Sequence, residues 1–260
     1  MKYSLKSEVK EVRAFGEDCY ELRLNCPEIA ACARPGQFVQ LKAWEGPEPL
    51  LRRPISIAGV PDPDSILLWV RRVGRGTGLI TGVLPGDTME VVGPLGNGFS
   101  PVSEGEVVYM VGGKLGAAPM RFFSTGKGLG AGSRFFYGAA CECDLDLLGD
   151  PVIECLDVCV ATEDGCAGTK GFVTEALVPA MEEKKPDRIV ACGPHGMLRA
   201  VADIAEAAGV VCEVSMETYM SCGIGACMGC AVPVKEGGPY MHACTDGPVF
   251  DSRIIDWEAF

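Results

Sequence analysis

Positive charge is the scarcer sign in this chain: 23 lysines and arginines face 35 aspartates and glutamates, a net charge of −12 over 260 residues. A surface of that sign argues against nucleic-acid binding and against a polybasic attachment to membranes. It suits a soluble protein and a partner with a complementary basic face. Long apolar runs are missing too. No stretch of eighteen apolar residues occurs, so no membrane span is expected. The start, Met1 to Glu8, lacks the apolar core of a signal peptide, which predicts a cytoplasmic protein. With nothing to mark export, fourteen cysteines imply a reducing compartment and make disulfides a poor expectation.

Cysteine and glycine are plentiful, and they converge in the last fifth of the chain. Cys222 and Cys227 are separated by four residues, Cys227 and Cys230 by two, and Cys230 and Cys244 by thirteen. This is the plant-type ligand spacing of a 2Fe–2S cluster, with three thiolates from one loop and one from a distant return. The intervening Gly223, Gly225 and Gly229 suit a loop that must turn several sulfurs toward one point. A structural zinc site is the alternative, although zinc sites more often pair two short Cys-x2–4-Cys knuckles. Of the remaining ten cysteines most are expected to be small buried hydrophobes, and Cys141-Glu142-Cys143 is read as a strand-end loop.

The length predicts about two domains with real cores, since 48% of the residues are apolar. Up to about residue 100, short runs alternate in period two, as in Tyr20–Leu24 and Phe38–Lys42, while Ile66–Val70 is more buried in character. Gly/Pro clusters separate them at 34–37, 46–49, 61–64 and 85–87, the pattern of a small antiparallel barrel. Two segments on that barrel look chemical. Arg53-Pro54-Ile55-Ser56 offers a guanidinium able to clamp a pyrophosphate and a hydroxyl able to bond a ring edge. Gly74-Arg75-Gly76-Thr77 opens a short helix with free backbone N–H groups, suited to an anion.

From about residue 104 strands and helices alternate, which predicts a parallel sheet with ligands at the strands' carboxyl ends. Val107–Val111 reads as a first strand and Arg134–Ala139 as a second; Val152–Cys155 and Asp157–Thr162 follow, then a helix from Phe172, the strand Arg188–Cys192 and a helix from Met197. The loop Gly112-Gly113-Lys114-Leu115-Gly116 and the turn Cys192-Gly193-Pro194 both fall at such carboxyl ends. Cys192 is either a buried structural thiol or a neighbour of a nicotinamide.

Taken in order, these segments resemble the ferredoxin–NADP reductase superfamily, and within it the electron-transfer subunits of NAD-linked dihydroorotate dehydrogenases. The resemblance spans essentially the whole chain and is carried by Arg53–Ser56, Gly74–Thr77, Gly93–Phe99, Thr169–Thr174, Cys192–Pro194 with Met197-Leu198, the four cluster cysteines and the ending Asp246–Phe250. It implies an FAD-binding β-barrel domain at 1–102, an NAD-binding α/β domain at 103–214 and a small 2Fe–2S domain at 215–260. Electrons would pass between NAD(H), FAD and the cluster, to or from the FMN of a separate dihydroorotate dehydrogenase catalytic subunit, in a heterotetramer of two plus two serving pyrimidine synthesis. Arg53, Pro54, Ile55, Ser56, Gly76 and Thr77 would hold FAD; Gly112, Gly113, Cys192, Gly193 and Pro194 would border the nicotinamide; Cys222, Cys227, Cys230 and Cys244 would bind iron. No side chain need act as general acid or base.

Related architectures serve sulfide dehydrogenases, transhydrogenases and hydrogenases, and a zinc-stabilised binding module is the non-enzymatic alternative. One departure stands out: the family loop usually reads Gly-Gly-Gly-x-Gly, and Lys114 occupies its third position. Lys114 could foul a pyrophosphate, pair with it, or face solvent. Ala139-Ala140-Cys141-Glu142 supplies no arginine for a 2′-phosphate, which favours NAD over NADP.

Overall fold

In a computed structural model the chain is described at every residue except Met1, Glu17, Glu236, Gly237 and Pro239. Met1 belongs to the segment read for a signal peptide and the last three fall within segment 215–260, so those positions lie outside the described residues. The first six strands are β1 (Tyr3–Phe15), β2 (Cys19–Asn25), β3 (Phe38–Lys42), β4 (Arg53–Asp62), β5 (Ser65–Arg71) and β6 (Thr88–Leu95). They close into an antiparallel barrel in the order β1-β2-β5-β4-β3-β6. Period two explains its core: Leu22 and Leu24 of β2 lie opposite Leu68 and Ile66 of β5, and all four are fully buried. Helices α1 (Pro27–Ala30) and α2 (Arg75–Thr81) close the barrel with Ile29 and Ile80. In β3 the alternation misleads. Gln40, whose place in the pattern is a polar face, is fully buried, because the cluster segment covers that face of the barrel.

The second body is a seven-stranded sheet. Its strands are β7 (Val108–Gly113), β8 (Arg134–Ala139), β9 (Val158–Thr162), β10 (Thr169–Lys170), β11 (Arg188–Cys192), β12 (Val211–Ser215) and, from the chain's end, β15 (Val249–Asp251), in the order β10-β9-β8-β7-β11-β12-β15. All neighbours run parallel except β15, which pairs antiparallel with β12. Both faces are covered, which is why the strand sequences are continuously apolar. Tyr109, Val111, Phe136 and Ala191 face α5 (Thr174–Glu183) and α6 (His195–Ala207), where Leu198, Val201, Ala202 and Ala205 repeat at helical spacing. Val108, Met110, Phe135 and Val190 face α3 (Ala117–Ser124). Arg121 of α3 fastens the two bodies: it donates to Ala58 O of the barrel at 3.1 Å and to the buried Asp150 at 2.9 Å.

Val152–Cys155 does not form a strand. Residues Pro151–Glu154 make the short helix α4, because Asp150 accepts hydrogen bonds from the N–H groups of Val152 and Ile153 and Pro151 pre-sets the first turn. The expectation that most of the other cysteines are buried also fails. Cys26, Cys192 and Cys212 are buried, Cys19 and Cys159 are half-buried, and Cys32, Cys155 and Cys166 are exposed because they fall in turns after helix ends or between strands. Cys141 and Cys143, in the turn that follows β8, are joined as a disulfide with Cα atoms 5.4 Å apart, against the expectation from compartment.

Between β12 and β15 lies the cysteine segment, whose described residues form two three-residue strands, β13 (Ala231–Pro233) and β14 (Tyr240–His242). The barrel holds it by backbone carbonyls: Asn97 Nδ2 donates to Thr245 O at 3.0 Å and to Asp246 O at 2.9 Å. No helix among the described residues is long and apolar enough to cross a membrane.

Candidate functional site

The barrel, the carboxyl ends of β7 and β11 and the start of the cysteine segment enclose one cavity of about 510 Å³. Pro54, Ile55 and Ser56 of β4 and Thr77 of α2 form its barrel wall; Gly113, Lys114, Cys192, Gly193 and Pro194 form the wall opposite. Phe38 and Trp69 supply aromatic faces, and Met216, Glu217, Thr218 and Met220 continue the lining toward Cys222. A flat conjugated ring fits this mixture of apolar walls and a few polar groups.

The expected site residues do not all stand in one place. Thr77 lines the cavity, yet its hydroxyl accepts from the N–H groups of Val73 and Gly74 at 3.0 and 3.1 Å and donates to Gly74 O at 3.1 Å, so it shapes the loop more than it offers a free donor. Arg53 lies outside the lining and packs over Gly76, where a Cβ would come within 2.5–2.7 Å of the guanidinium. Only glycine leaves room for it there. Arg53 also donates to Leu51 O at 2.6 Å. Gly112 faces inward, where a Cβ would press on the Phe135 ring at 2.9 Å, so it serves the packing of β7 on β8. Cys192 is buried, and burial pushes its thiol up to about 12, which keeps it protonated at neutral pH. It is therefore both a buried thiol and a cavity wall.

A second cavity, of about 450 Å³, adjoins the first at Gly113, Lys114 and Pro194 and extends past Ala139, Ala140, Glu163, Phe172 and Met197. Its walls are mostly apolar. Among the described residues Lys114 is the only cationic one lining it and the one charged residue common to both cavities. Its backbone holds φ 51°, a left-handed conformation that costs an L-residue about 1 kcal/mol. Among the described residues Lys114 makes no ion pair or side-chain hydrogen bond. The side chain is half-buried in the lining of both cavities.

The four cluster cysteines come together as two pairs. Cys222 lies against Cys227, and Cys230 against Cys244. Among the described residues no three of these sulfurs fall within 4.8 Å of one another, as a single tetrahedral ion requires. Two thiol pairs match the donor set of a two-iron centre. Burial alone would raise the Cys222 thiol, but the N–H of Ile224, the Cys227 thiol and the N–H groups of Cys227 and Ala226 overcome it and hold it at about 6. Burial and the neighbouring Cys230 push Cys244 up to about 11. Left-handed backbone at Gly223, Gly225 and Met228 turns the loop so that its N–H groups face the sulfurs.

Sequence reading overlooks Glu217, Glu163, Asn97 and Gln40. Glu217 follows Met216 after the strand that leads into the cysteines, and desolvation raises its carboxyl although the residue as a whole is exposed. Its place two residues beyond β12 is the one signal that could have found it. Asn97 lies within the quoted Gly93–Phe99 motif, whose contact partners no single sequence displays.

Comparison with known proteins agrees with this geometry. Residues 217–256 match the family described as the iron–sulfur cluster binding domain of dihydroorotate dehydrogenase B. The chain is 36% identical to the dihydroorotate dehydrogenase B (NAD(+)) electron transfer subunit of Desulforamulus reducens, over 97% of this chain and 98% of that one. It is 34% identical to the subunit of the same name from Caldanaerobacter subterraneus, over 96% and 97%. Among solved structures, one of an NADH-dependent reduced ferredoxin–NADP oxidoreductase superposes with a TM-score of 0.84 at 33% identity, covering 97% of this chain and 90% of that chain. Phthalate dioxygenase reductase, at 17% identity and a TM-score of 0.62, shares the fold.

Proposed function

Because the chain belongs to the family of dihydroorotate dehydrogenase B electron transfer subunits, we propose that it carries electrons between NAD(H), FAD and a 2Fe–2S cluster, to or from the FMN of a dihydroorotate dehydrogenase catalytic subunit. The observation that carries this reading is the shared cavity, lined at once by the barrel, the nucleotide-side strand ends and the approach to the cysteines. When bound, FAD supplies the exchange between a hydride and single electrons that neither NADH nor an iron–sulfur cluster can make alone.

The protein's part is placement. Ser56 would present a hydroxyl to the ring edge, Arg53 over Gly76 would meet the flavin's phosphates, and Phe38 and Trp69 would exclude water from the ring. Cys192, Gly193 and Pro194 bound the space for the nicotinamide, where Gly193, at φ 154°, lies against Gly113 with no room for a side chain. The nicotinamide must reach the flavin cavity while the adenosine lies in the second one. The middle of the dinucleotide, its pyrophosphate, would then lie beside Lys114, which lines both cavities and would supply the positive charge. Glu163 lines the adenosine side, where a carboxylate favours a free ribose hydroxyl over a 2′-phosphate and so favours NAD. A cytoplasmic two-plus-two assembly with the catalytic subunit, acting in pyrimidine synthesis, completes the proposal.

Anaerobic titration of the purified chain with NADH tests it. Bleaching of both a flavin band and an iron–sulfur band is expected, with NADPH far less effective. A colourless protein holding one zinc, or bound cofactors left unreduced by NADH, would refute it. Co-purification with a partner other than a dihydroorotate dehydrogenase would reassign the terminal acceptor.

A further inference from the structure

Gln40 is an anomaly in the middle of the barrel's β3. It is 0% exposed, and neither Nε2 nor Oε1 has a hydrogen-bond partner. Burying an amide without partners is strongly unfavourable, and such groups in native proteins call for a specific explanation. Its surroundings supply one. Phe38, two residues earlier on the same strand, lines the flavin cavity, and so does Pro54, the cross-strand neighbour of Gln40 on β4. On the other side the amide packs against the cysteine loop. A Cβ placed on Gly223 would stand 2.8 Å from Gln40 Cγ and 2.9 Å from its Nε2. Gly223 immediately follows Cys222, so the amide lies beneath the first ligand, between the flavin cavity and the cluster site.

We infer that Gln40 donates a hydrogen bond through Nε2 to the sulfur shell of the cluster beside Cys222, and that this bond raises the cluster's reduction potential. The inference rests on the reading of the four cysteines as a 2Fe–2S site. Thiolate and sulfide sulfurs are acceptors carrying net negative charge, which is what an unpaired amide donor can satisfy. Donors to cluster sulfur stabilise the reduced, more negative form more than the oxidised one. The glycine at 223 has a defined purpose here, since any side chain would displace the amide. Gln40 is thus a positioning and tuning residue on the path between the two redox groups, and being an amide it does so without titrating.

Two measurements test this on the intact, cluster-loaded chain. In wild type carrying 15N in its glutamine side chains, pulsed electron paramagnetic resonance of the reduced cluster is expected to detect a 15N coupling that disappears in Q40L. Potentiometric titration is expected to give a midpoint that falls from wild type to Q40L and further to Q40E, where a carboxylate replaces the donor, with iron and flavin content retained. Midpoints unchanged in both variants at full iron content would overturn the inference. If the variants lose their cluster, the wild-type spectrum decides, and absence of a glutamine 15N coupling there overturns it equally. A wild-type chain that purifies without iron defeats the cluster reading itself and this inference with it, an outcome distinct from iron bound at an unshifted potential.

Discussion

The barrel and the cysteine segment meet at Gln40 and Asn97 but are built on opposite terms. The barrel is a closed ring of six strands whose interior positions are Leu, Ile and Val, so apolar burial specifies it without any ligand. Between β12 and β15 the cysteine segment has six residues of strand, left-handed backbone at Gly223, Gly225 and Met228, and thiols in two pairs. Cys230, Val232, Ala243 and Cys244 join the sheet's core cluster, while Ile224 and residues 226–229 are exposed, so the order of that loop is expected to depend on what the sulfurs bind. The contrast teaches that one chain can hold a ligand-independent scaffold beside a loop whose order is expected to come from its metal.

The sharpest way to break that contrast is Cys227→Ser. One iron loses a ligand while the barrel and sheet keep every core contact. Delivery of electrons to a partner flavin is expected to be abolished, with the cluster bands gone from the visible spectrum, while NADH still bleaches the FAD. If transfer to the partner survives in full, the cluster is not on the path.

Removing iron from the intact chain sharpens the same point. Amide hydrogen exchange followed by mass spectrometry should quicken across 216–248, while β1–β6 keep their protection. Equal loosening of both regions would show that the barrel leans on the cluster as well.

Asn97→Ala tests the link between the regions. Two hydrogen bonds to Thr245 O and Asp246 O would be lost, each contributing about 1 kcal/mol. The expected outcome is faster release of iron to a chelator with a thermal transition of the barrel little changed.

Much of this was legible in the residues, for reasons that differ by region. Cysteine spacing specifies a ligand set directly, because thiolates bind iron wherever the loop carries them. Period-two runs and Gly/Pro punctuation disclosed the barrel, and continuous apolar strands disclosed a sheet covered on both faces. What escaped depends on contacts between distant segments. Gln40 sits on a polar beat of its strand, yet it is fully buried, with Gly223 of the distant cysteine loop resting on it. Glu163 and Lys114 are separated in sequence, and only the order β9-β8-β7 places them along one cavity. Val152–Ile153 looked like a strand by composition, but Asp150 and Pro151 start a helix there. Gly112 reads as a nucleotide glycine, yet the Phe135 ring is what requires it.

Lys114 sets a strained backbone against a useful charge, and two substitutions separate them. Lys114→Gly removes both: stability should rise by about 1 kcal/mol as the left-handed penalty disappears. Its apparent affinity for NADH should fall roughly tenfold, since a charge-assisted contact contributes about 1.5 kcal/mol. Lys114→Met keeps the strain and loses only the charge, so affinity should fall equally with no gain in melting temperature. Rising salt should weaken NADH binding in wild type and have little effect in either variant. Unchanged affinity in both variants would mean that the lysine does not meet the pyrophosphate.

The smallest effect expected lies within the barrel, away from every cofactor. Arg23 on β2 pairs with Asp62 at the end of β4, and this hydrogen bond brings the Asp62 carboxyl down from 3.8 to about 2. A carboxylate whose folded pKa is lowered contributes stability that is fully present above its unfolded value and is lost as pH falls through the folded one. The contribution should therefore be intact at pH 5 and fade between about pH 4 and 2. Because the pair is partly open to solvent, its effect is small and weakens with salt. Thermal melts of wild type and Asp62→Asn should differ slightly at pH 5 and converge at pH 2, with iron content and Cys222 environment unaffected. A difference that persists at pH 2 would trace the effect to the turn at Asp64, whose N–H the Asp62 carboxylate also accepts at 2.8 Å, rather than to the ion pair.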